Sequence, residues 1–300
     1  MQRILTYQIE NLQNPESIGT FLKSKGYSRH ILTHLKRTEN GICINGEWTR
    51  PYQLLQNGDF LTVTIIEEEA SDHIVPTEMD LNIVYEDEDL LVINKEADVP
   101  IHPSIHNYEN TLANGVAWYY QKRGEPFVYR CINRLDRDTT GLLIIAKNML
   151  SAAILSEMGK RREIHREYLA IAQGCVPSEG VIDAPIARKE GSVLERCVDF
   201  ENGEMAVTHF QRLQTWDDYS LVALKLETGR THQIRVHMKY LGYPLIGDFL
   251  YNPDFRLLQH QALHSWKLEF SHPITGEWMK FEAEAPWMGL VPGKQQSVLE

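Results

Sequence analysis

The chain has 300 residues, 43% of them hydrophobic, and a formal net charge of −11. That is more chain than one core usually serves, so two domains are expected. The acidic balance argues against nucleic-acid binding driven by overall charge, but it leaves room for a local basic patch, because phosphate contacts depend on where the cations lie.

The opening MQRILTYQIENLQ has no apolar signal core, and no stretch approaches the ~18 apolar residues of a membrane span. A soluble cytoplasmic protein is the simplest expectation. Cys43, Cys131, Cys175 and Cys197 lie far apart with no CxxC pair, so neither a zinc site nor a disulfide framework is expected.

Residues 1–70 read as a unit. In SIGTFLKSKGYSRHILTHLKR the apolar positions Ile18, Phe21 and Leu22, then Ile31, Leu32 and Leu35, recur at helical spacing. Gly26 separates the two predicted helices and Ser28 is placed to cap the second. GICINGEWTRPYQLLQNGDFLTVTI reads as short strands with turns at Asn45-Gly46 and Asn57-Gly58-Asp59. Residues 1–50 carry seven cations against four carboxylates, so this unit is locally basic. The acidic EEEASDHIVPTEMD has no core pattern and reads as an interdomain linker, centred on residues 71–80.

From Leu81 strands and helices alternate. DLLVINK and GLLIIAK read as buried strands. TLANGVAWYYQKRG is a helix candidate capped by Thr111 and stopped at Gly124, and SAAILSEMGKR is another capped by Ser151. In EYLAIAQG, Tyr168, Ala170 and Ala172 share a face. Two alanines beside a tyrosine leave room for a substrate, or for a closely packed helix, and periodicity does not choose between them.

Three stretches concentrate charge beside apolar structure. INRLDRDTTGLLII sets Arg134, Asp136, Arg137 and Asp138 at the mouth of a buried strand. On pattern alone it is a polar turn, with Asp138 and Thr139 accepting backbone bonds and Gly141 ending the turn. ETGRTHQIRVHMKYLGYPLIGDFLY suggests a helix capped by Thr231 and running to Leu241. On it His232, Arg235 and Lys239 share a face, either as a solvated stripe or as an anion site at a helix N-terminus. QALHSWKLEFSHPITGEWMKFEAEAP is a hairpin turning at HPITGE, where Leu263 reads as core. His232 and His237 are five residues apart and diverge on a helix, so a zinc site from His232, His237, His264 and Asp248 is not expected.

Taken together, INRLDRDTTGLLIIAKN, EYLAIAQG, GRTHQIRVHMKYLGYPLIGDFLY and LHSWKLEFSHPITGE resemble the ordered motifs of the RluA-type RNA pseudouridine synthases, and DLLVINKEADVPIHP resembles their opening motif. The resemblance spans residues 81–290, with 291–300 left as a tail. It implies an α+β pseudouridine synthase fold, with a mixed, mainly antiparallel central sheet flanked by helices around a central cleft. The SRHILTHLKR…GICING pattern is similar to the small alpha-L RNA-binding domain, a small α/β unit also found in a ribosomal protein. On that likeness Lys23, Lys25, Arg29, Lys36 and Arg37 would hold RNA.

The resemblance further implies isomerisation of uridine in RNA without cofactor or metal, with RNA and not DNA as partner; no membrane partner is expected, and a monomer is the default. Asp136 would be the nucleophile, Arg235 its cationic partner, Tyr168 the residue packing on the flipped uracil and moving a proton at carbon 5. Arg134 would fill the vacated base stack and Leu263 would wall the pocket. Lys95 and His232 are grouped with the substrate-binding residues, and Asp138 is expected to be structural. Asn133, Thr140 and Glu96 depart from the family's usual histidine, serine and proline. Two other readings stand beside this one: a noncatalytic RNA-binding or ribosome-assembly factor on the same fold, and a small-molecule enzyme such as a glycosidase, which would usually need a second catalytic carboxylate.

Overall fold

In a computed structural model, residues 1–105 and 107–293 are described. The first unit is a four-stranded sheet in the order β1-β4-β2-β3 with two helices packed on it. In chain order it comprises β1 (Gln2–Gln8), α1 (Ile18–Ser24), α2 (Arg29–Arg37), β2 (Ile42–Ile44), β3 (Glu47–Trp48) and β4 (Phe60–Ile66). Ser17 and Ser28 cap the helices by accepting from Thr20 N and Ile31 N. Asn45 and Gly46 take left-handed backbone angles, 51° and 88° in φ, as a tight hairpin requires. The sequence analysis assigned no strand to residues 2–8. This strand alternates but buries only Leu5, and its pairing along the whole of β4 decides it.

The second unit begins with β5 (Ile83–Glu86), β6 (Leu90–Lys95), α3 (Leu112–Lys122), β7 (Thr140–Ala146) and α4 (Met149–Lys160). It continues through β8 (His165–Gln173), β9 (Glu179–Asp183), β10 (Ile186–Arg188), β11 (Arg196–Val198), β12 (Val207–Trp216) and β13 (Tyr219–Leu226). It closes with α5 (Gln233–Tyr240), β14 (Leu263–Ser271) and β15 (Trp278–Glu282). Nine strands form one sheet in the order β5-β6-β7-β14-β8-β13-β12-β9, with β15 on β14. All its pairings are antiparallel except β7 with β14. The fold is therefore α+β with a mixed, mainly antiparallel sheet, as the motifs implied.

β7 is buried at every position, which explains its unbroken apolar run. Thr111 caps α3 in a reciprocal capping box with Asn114. Ser151 does not cap α4: the helix starts two residues earlier, Asn148 accepts from Leu150 N and Ser151 N, and Ser151 instead donates to Asp89. Gly141 lies inside β7 and not at the end of a turn. Its φ is +109°, and a Cβ there would sit 2.3 Å from Ser265 O and 2.6 Å from Ser265 N. The parallel join to β14 thus depends on a missing side chain. Gly141→Ala should cost at least about 3 kcal/mol through backbone strain and overpacking together, read as a shifted urea midpoint. An unshifted midpoint would mean that the β7–β14 seam gives way without cost.

The segment between the units is pinned along its length. Ser71 N donates to Phe127 O (3.1 Å), Tyr129 N to Ser71 Oγ (2.8 Å), and Asn114 Nδ2 to Val75 O (2.7 Å). At the other end Val291 is buried beside Trp287 and Met288, so the core runs into the stretch expected to be tail, whose residues 294–300 lie outside the described ones. No helix among the described residues is long and apolar enough to cross a membrane.

Candidate active site

The sheet order brings four separated stretches to one cleft of about 660 Å³. Its lining includes Arg134 and Asp136 from the turn before β7, Tyr168 from β8, His232 and Arg235 at the start of α5, and Leu263 from β14. The turn is closed by Thr139 N donating to Asp136 O (3.1 Å). Neither the Asp138 carboxylate nor the Thr139 hydroxyl accepts a backbone bond as expected. Arg137 Nε donates to Asp138 (3.2 Å), and Gln261 Nε2 donates to Thr139 Oγ1 (3.0 Å).

Arg235 is 2% exposed and stands between two carboxylates. Its Nη1 donates to Asp136 Oδ2 at 2.9 Å. Its Nε and Nη2 make a two-pronged contact with Asp248 at 2.7 and 2.8 Å. The guanidinium also lies 5.6 Å from the Phe249 ring centre and 5.1 Å from that of Tyr251. Burial acts to neutralise Arg235, but the Asp248 bond and the Asp136 and Asp248 charges outweigh it and hold the guanidinium more firmly protonated than an ordinary arginine. The two-pronged contact fixes the plane of the guanidinium, which leaves one edge to face Asp136. Asp136 keeps 26% of its side chain exposed, whereas Asp248 has none. Asp136 is thus the carboxylate available to a molecule in the cleft.

Asp248 was considered in the sequence only as a metal ligand. Its place is set by Gly247, at φ +68°, where a Cβ would lie 2.2 Å from His260 O, and by Leu250 N and Tyr251 N donating to Oδ1. A glycine-aspartate pair just beyond a helix bearing an arginine is the signal that was present in the letters.

The expected helix cap and cationic stripe are corrected. α5 begins at Gln233, whose Oε1 accepts from Arg230 N (2.9 Å), and Thr231 caps nothing. His232 precedes the helix in the left-handed region at φ 58°. Arg235 is buried and Lys239 exposed, so no solvated stripe exists.

His232 Nδ1 lies 2.9 Å from the Tyr251 hydroxyl, and Nε2 lies 3.9 Å from Asp136 Oδ2. Burial lowers the His232 pKa against the opposing pull of Asp136, so the ring is neutral near pH 7. Tyr251 accepts from Arg196 N.

Lys95 does not reach the cleft. It is 2% exposed and sits beneath the turn, donating to Glu96 O (2.6 Å) and Arg137 O (2.7 Å). It is a strut of the turn, not a contact for substrate. Burial lowers its pKa to about 7 against the opposing charges of Asp138 and Asp136. A neutral amine still has two N–H groups for the two carbonyls. Between pH 7 and the unfolded lysine value of roughly 10.4 the unfolded chain binds the extra proton, so this group makes stability rise with pH across that window. The stability of the wild type minus that of Lys95→Met should grow by about 2–3 kcal/mol from pH 7 to pH 9. A difference flat across that range would show that Lys95 stays charged in the folded state.

Ala170 and Ala172 are fully buried in the core that also holds Ile234 and Met238 of α5, and of that face only Tyr168 lines the cleft. The alanines belong to the core and leave no opening to the cleft. Among the described residues the Tyr168 hydroxyl makes no hydrogen bond, and no ion pair holds Arg134 at the exposed rim.

Two of the three departures have structural work. Asn133 Oδ1 accepts from Ile144 N (2.9 Å). Thr140 donates to His264 Nδ1 (2.7 Å), whose Nε2 donates to Ala283 O (2.8 Å). Burial depresses the His264 pKa to about 4, so that chain of bonds carries no charge. His237 is likewise engaged, with Thr208 and Ala184. Lys23, Lys25, Arg29, Lys36 and Arg37 are exposed on the first unit, outside the cleft, and none is in an ion pair among the described residues.

A carboxylate at a cleft floor, held by a buried guanidinium that a second carboxylate orients, suits attack on a bound polar molecule. The sequence profile of the RNA pseudouridylate synthase family matches residues 89–240. The chain belongs to that family, whose members are isomerases acting on RNA.

Among its relatives is the uncharacterized RNA pseudouridine synthase YjbO of Bacillus subtilis (strain 168), 43% identical over 262 residues, covering 87% of this chain and 92% of that one. The ribosomal large subunit pseudouridine synthase D of Vibrio cholerae serotype O1 is 36% identical over 263 residues, covering 83% and 81%. Among solved structures, human RNA Pseudouridylate Synthase Domain Containing 1 is similar, with a TM-score of 0.59 and 28% identity over 70% of this chain and 86% of that one.

Proposed function

We propose that this chain converts specific uridines of ribosomal RNA to pseudouridine in the cytoplasm, with Asp136 as the nucleophile. The observation that carries the reading is the 2.9 Å bond between a part-exposed Asp136 and a buried Arg235 at the floor of the cleft. Ribosomal RNA is chosen because a relative of 36% identity is a ribosomal large subunit enzyme. Transfer RNA is the other candidate.

The target base is unreachable while stacked, so it turns out of the RNA at a cost of about a few kcal/mol. The guanidinium of Arg134, free at the rim, lies in the vacated stack. The Asp136 carboxylate attacks the anomeric carbon or the uracil ring, and the bond between N1 and the sugar breaks. The base turns, carbon 5 bonds to the sugar, the bond to Asp136 breaks, and the proton lost from carbon 5 is matched by one taken up at N1. Tyr168 packs on the uracil with its hydroxyl available to move the proton from carbon 5, Leu263 walls the apolar side, and His232 presents Nε2 toward the reacting carboxylate. The balance is that of an isomerisation and needs no oxidant, reductant or cofactor. Residues 1–70 are an RNA-binding unit, with Lys23, Lys25, Arg29, Lys36 and Arg37 as its phosphate contacts.

The noncatalytic alternative gives no reason for a buried arginine to be aligned on a carboxylate in an open cleft. The test is release of tritium from RNA labelled at carbon 5 of uridine. The expected result is release from ribosomal RNA taken from cells lacking this protein, at positions where pseudouridine is missing. Failure to release tritium from every cellular RNA pool would overturn the enzyme reading in favour of a binding factor.

A further inference from the structure

α4 joins the two units. Leu150 belongs to the core of the first unit, with Met149, Ala153 and Ile154 packed against it. Gly26, in the turn between α1 and α2, rests directly on Ile154: a Cβ there would lie 2.6 Å from Ile154 Cγ1. A buried charge pair locks the same seam. Arg3 Nε and Nη2 donate to Asp89 at 3.0 and 2.8 Å, and Asn148 and Ser151 of the α4 start donate to the same carboxylate. Glu67 accepts from Arg130 and from Met149 N. With the connecting segment pinned as well, the first unit is docked and not hung on a flexible tether.

The far half of that helix is a wall of the cleft, through Leu155, Ser156, Gly159 and Lys160. From Ile154 to Lys160 is six residues, about 9 Å along a helix axis. Flanking Gly26 are Lys23, Lys25 and Arg29, all exposed and in no ion pair among the described residues, with Lys25 lying over the Phe21 ring. Lys36 and Arg37 lie at the far end of α2, roughly 10 Å further on.

We infer that the first unit is a fixed arm, which grips the phosphates of the substrate RNA through Lys23, Lys25 and Arg29 while the uridine sits in the cleft. The inference rests on the RNA-isomerase reading above and adds to it a rigid geometry. The arm and the cleft bind one continuous stretch of RNA, and α4 sets the spacing between them. An RNA of the wrong local shape then engages one site or the other but not both.

The experiment uses the full chain and in vitro transcribed, unmodified ribosomal RNA, with affinity measured over a range of salt. The variant K23Q/K25Q/R29Q removes the grip. The variant I154D loosens the seam but keeps every arm cation, and I154A with R3Q is a milder version should I154D fail to fold by thermal melting. The grip variant should bind at least tenfold more weakly at physiological salt. The slope of its log affinity against log salt should be smaller by about 2–3, roughly one for each lost phosphate contact.

The seam variants should lose affinity by a similar factor although their charge is intact or nearly so. An unchanged slope in the grip variant would overturn the arm. A loss in the grip variant with none in either seam variant would overturn the fixed geometry and leave a tethered domain. Wild-type protein that binds ribosomal RNA without releasing tritium would instead count against the enzyme reading and leave the arm standing.

Discussion

Asp136→Ala should abolish tritium release from uridine-labelled RNA, with a loss of at least ~10³-fold, as expected when a covalent nucleophile is removed. The fold should survive. Asp136 keeps 26% of its side chain exposed, and Arg235 retains both bonds to Asp248 when Asp136 is gone. Losing a part-exposed ion pair costs about 1 kcal/mol or less, so the melting curve should barely move. Asp136→Asn is the stricter version, since its amide oxygen still accepts from Arg235 and only the nucleophile changes. If either variant retains wild-type turnover, the covalent role belongs to another group and Asp136 merely lines the cleft.

Arg235→Met should behave differently, because it removes the one ion-pair partner, among the described residues, of a carboxylate with no exposure. Asp248 would be left buried with only the Leu250 and Tyr251 backbone donors. Breaking such a pair from one side costs about 3–5 kcal/mol. Activity should also fall by at least ~10²-fold, as it does when a donor aimed at developing charge is lost. The two effects can be separated. In Arg235→Met with Asp248→Asn the buried charge is gone, so much of the stability should return while activity stays lost. Activity that returns together with stability would make Arg235 a structural residue only. The contrast with Asp136, where activity falls and stability holds, follows from one guanidinium facing two carboxylates of unlike exposure.

Some of this was legible in the letters because it is settled within a few residues. The β6 and β7 runs are apolar at consecutive positions, and only a strand covered on both faces uses such a run. Ser28 and Thr111 stand where a helix leaves amides without partners, and Asn45-Gly46 takes a conformation few other pairs adopt. The motifs around Asp136, Tyr168 and Arg235 likewise pointed to one cleft. What failed was also local. Ser151 and Thr231 have the right chemistry for caps, but α4 starts earlier, under Asn148, and α5 starts after His232 with no side-chain cap.

By itself, then, the sequence determined several of the elements, the family and the motifs that carry Asp136 and Arg235, since each follows from a residue and its near neighbours. Only the tertiary structure decided which charges meet. Arg235 and Asp136 are 99 positions apart and Arg235 and Asp248 are 13 apart, joined because the fold brings the turn before β7 and the start of α5, which packs on β11 and β12, to one cleft. It alone showed that Lys95 is a strut under that turn, that Gly141 makes way for Ser265, and that Gly26 seats the first unit on the helix walling the cleft. Such contacts depend on how layers stack, and no span of neighbouring residues carries that information.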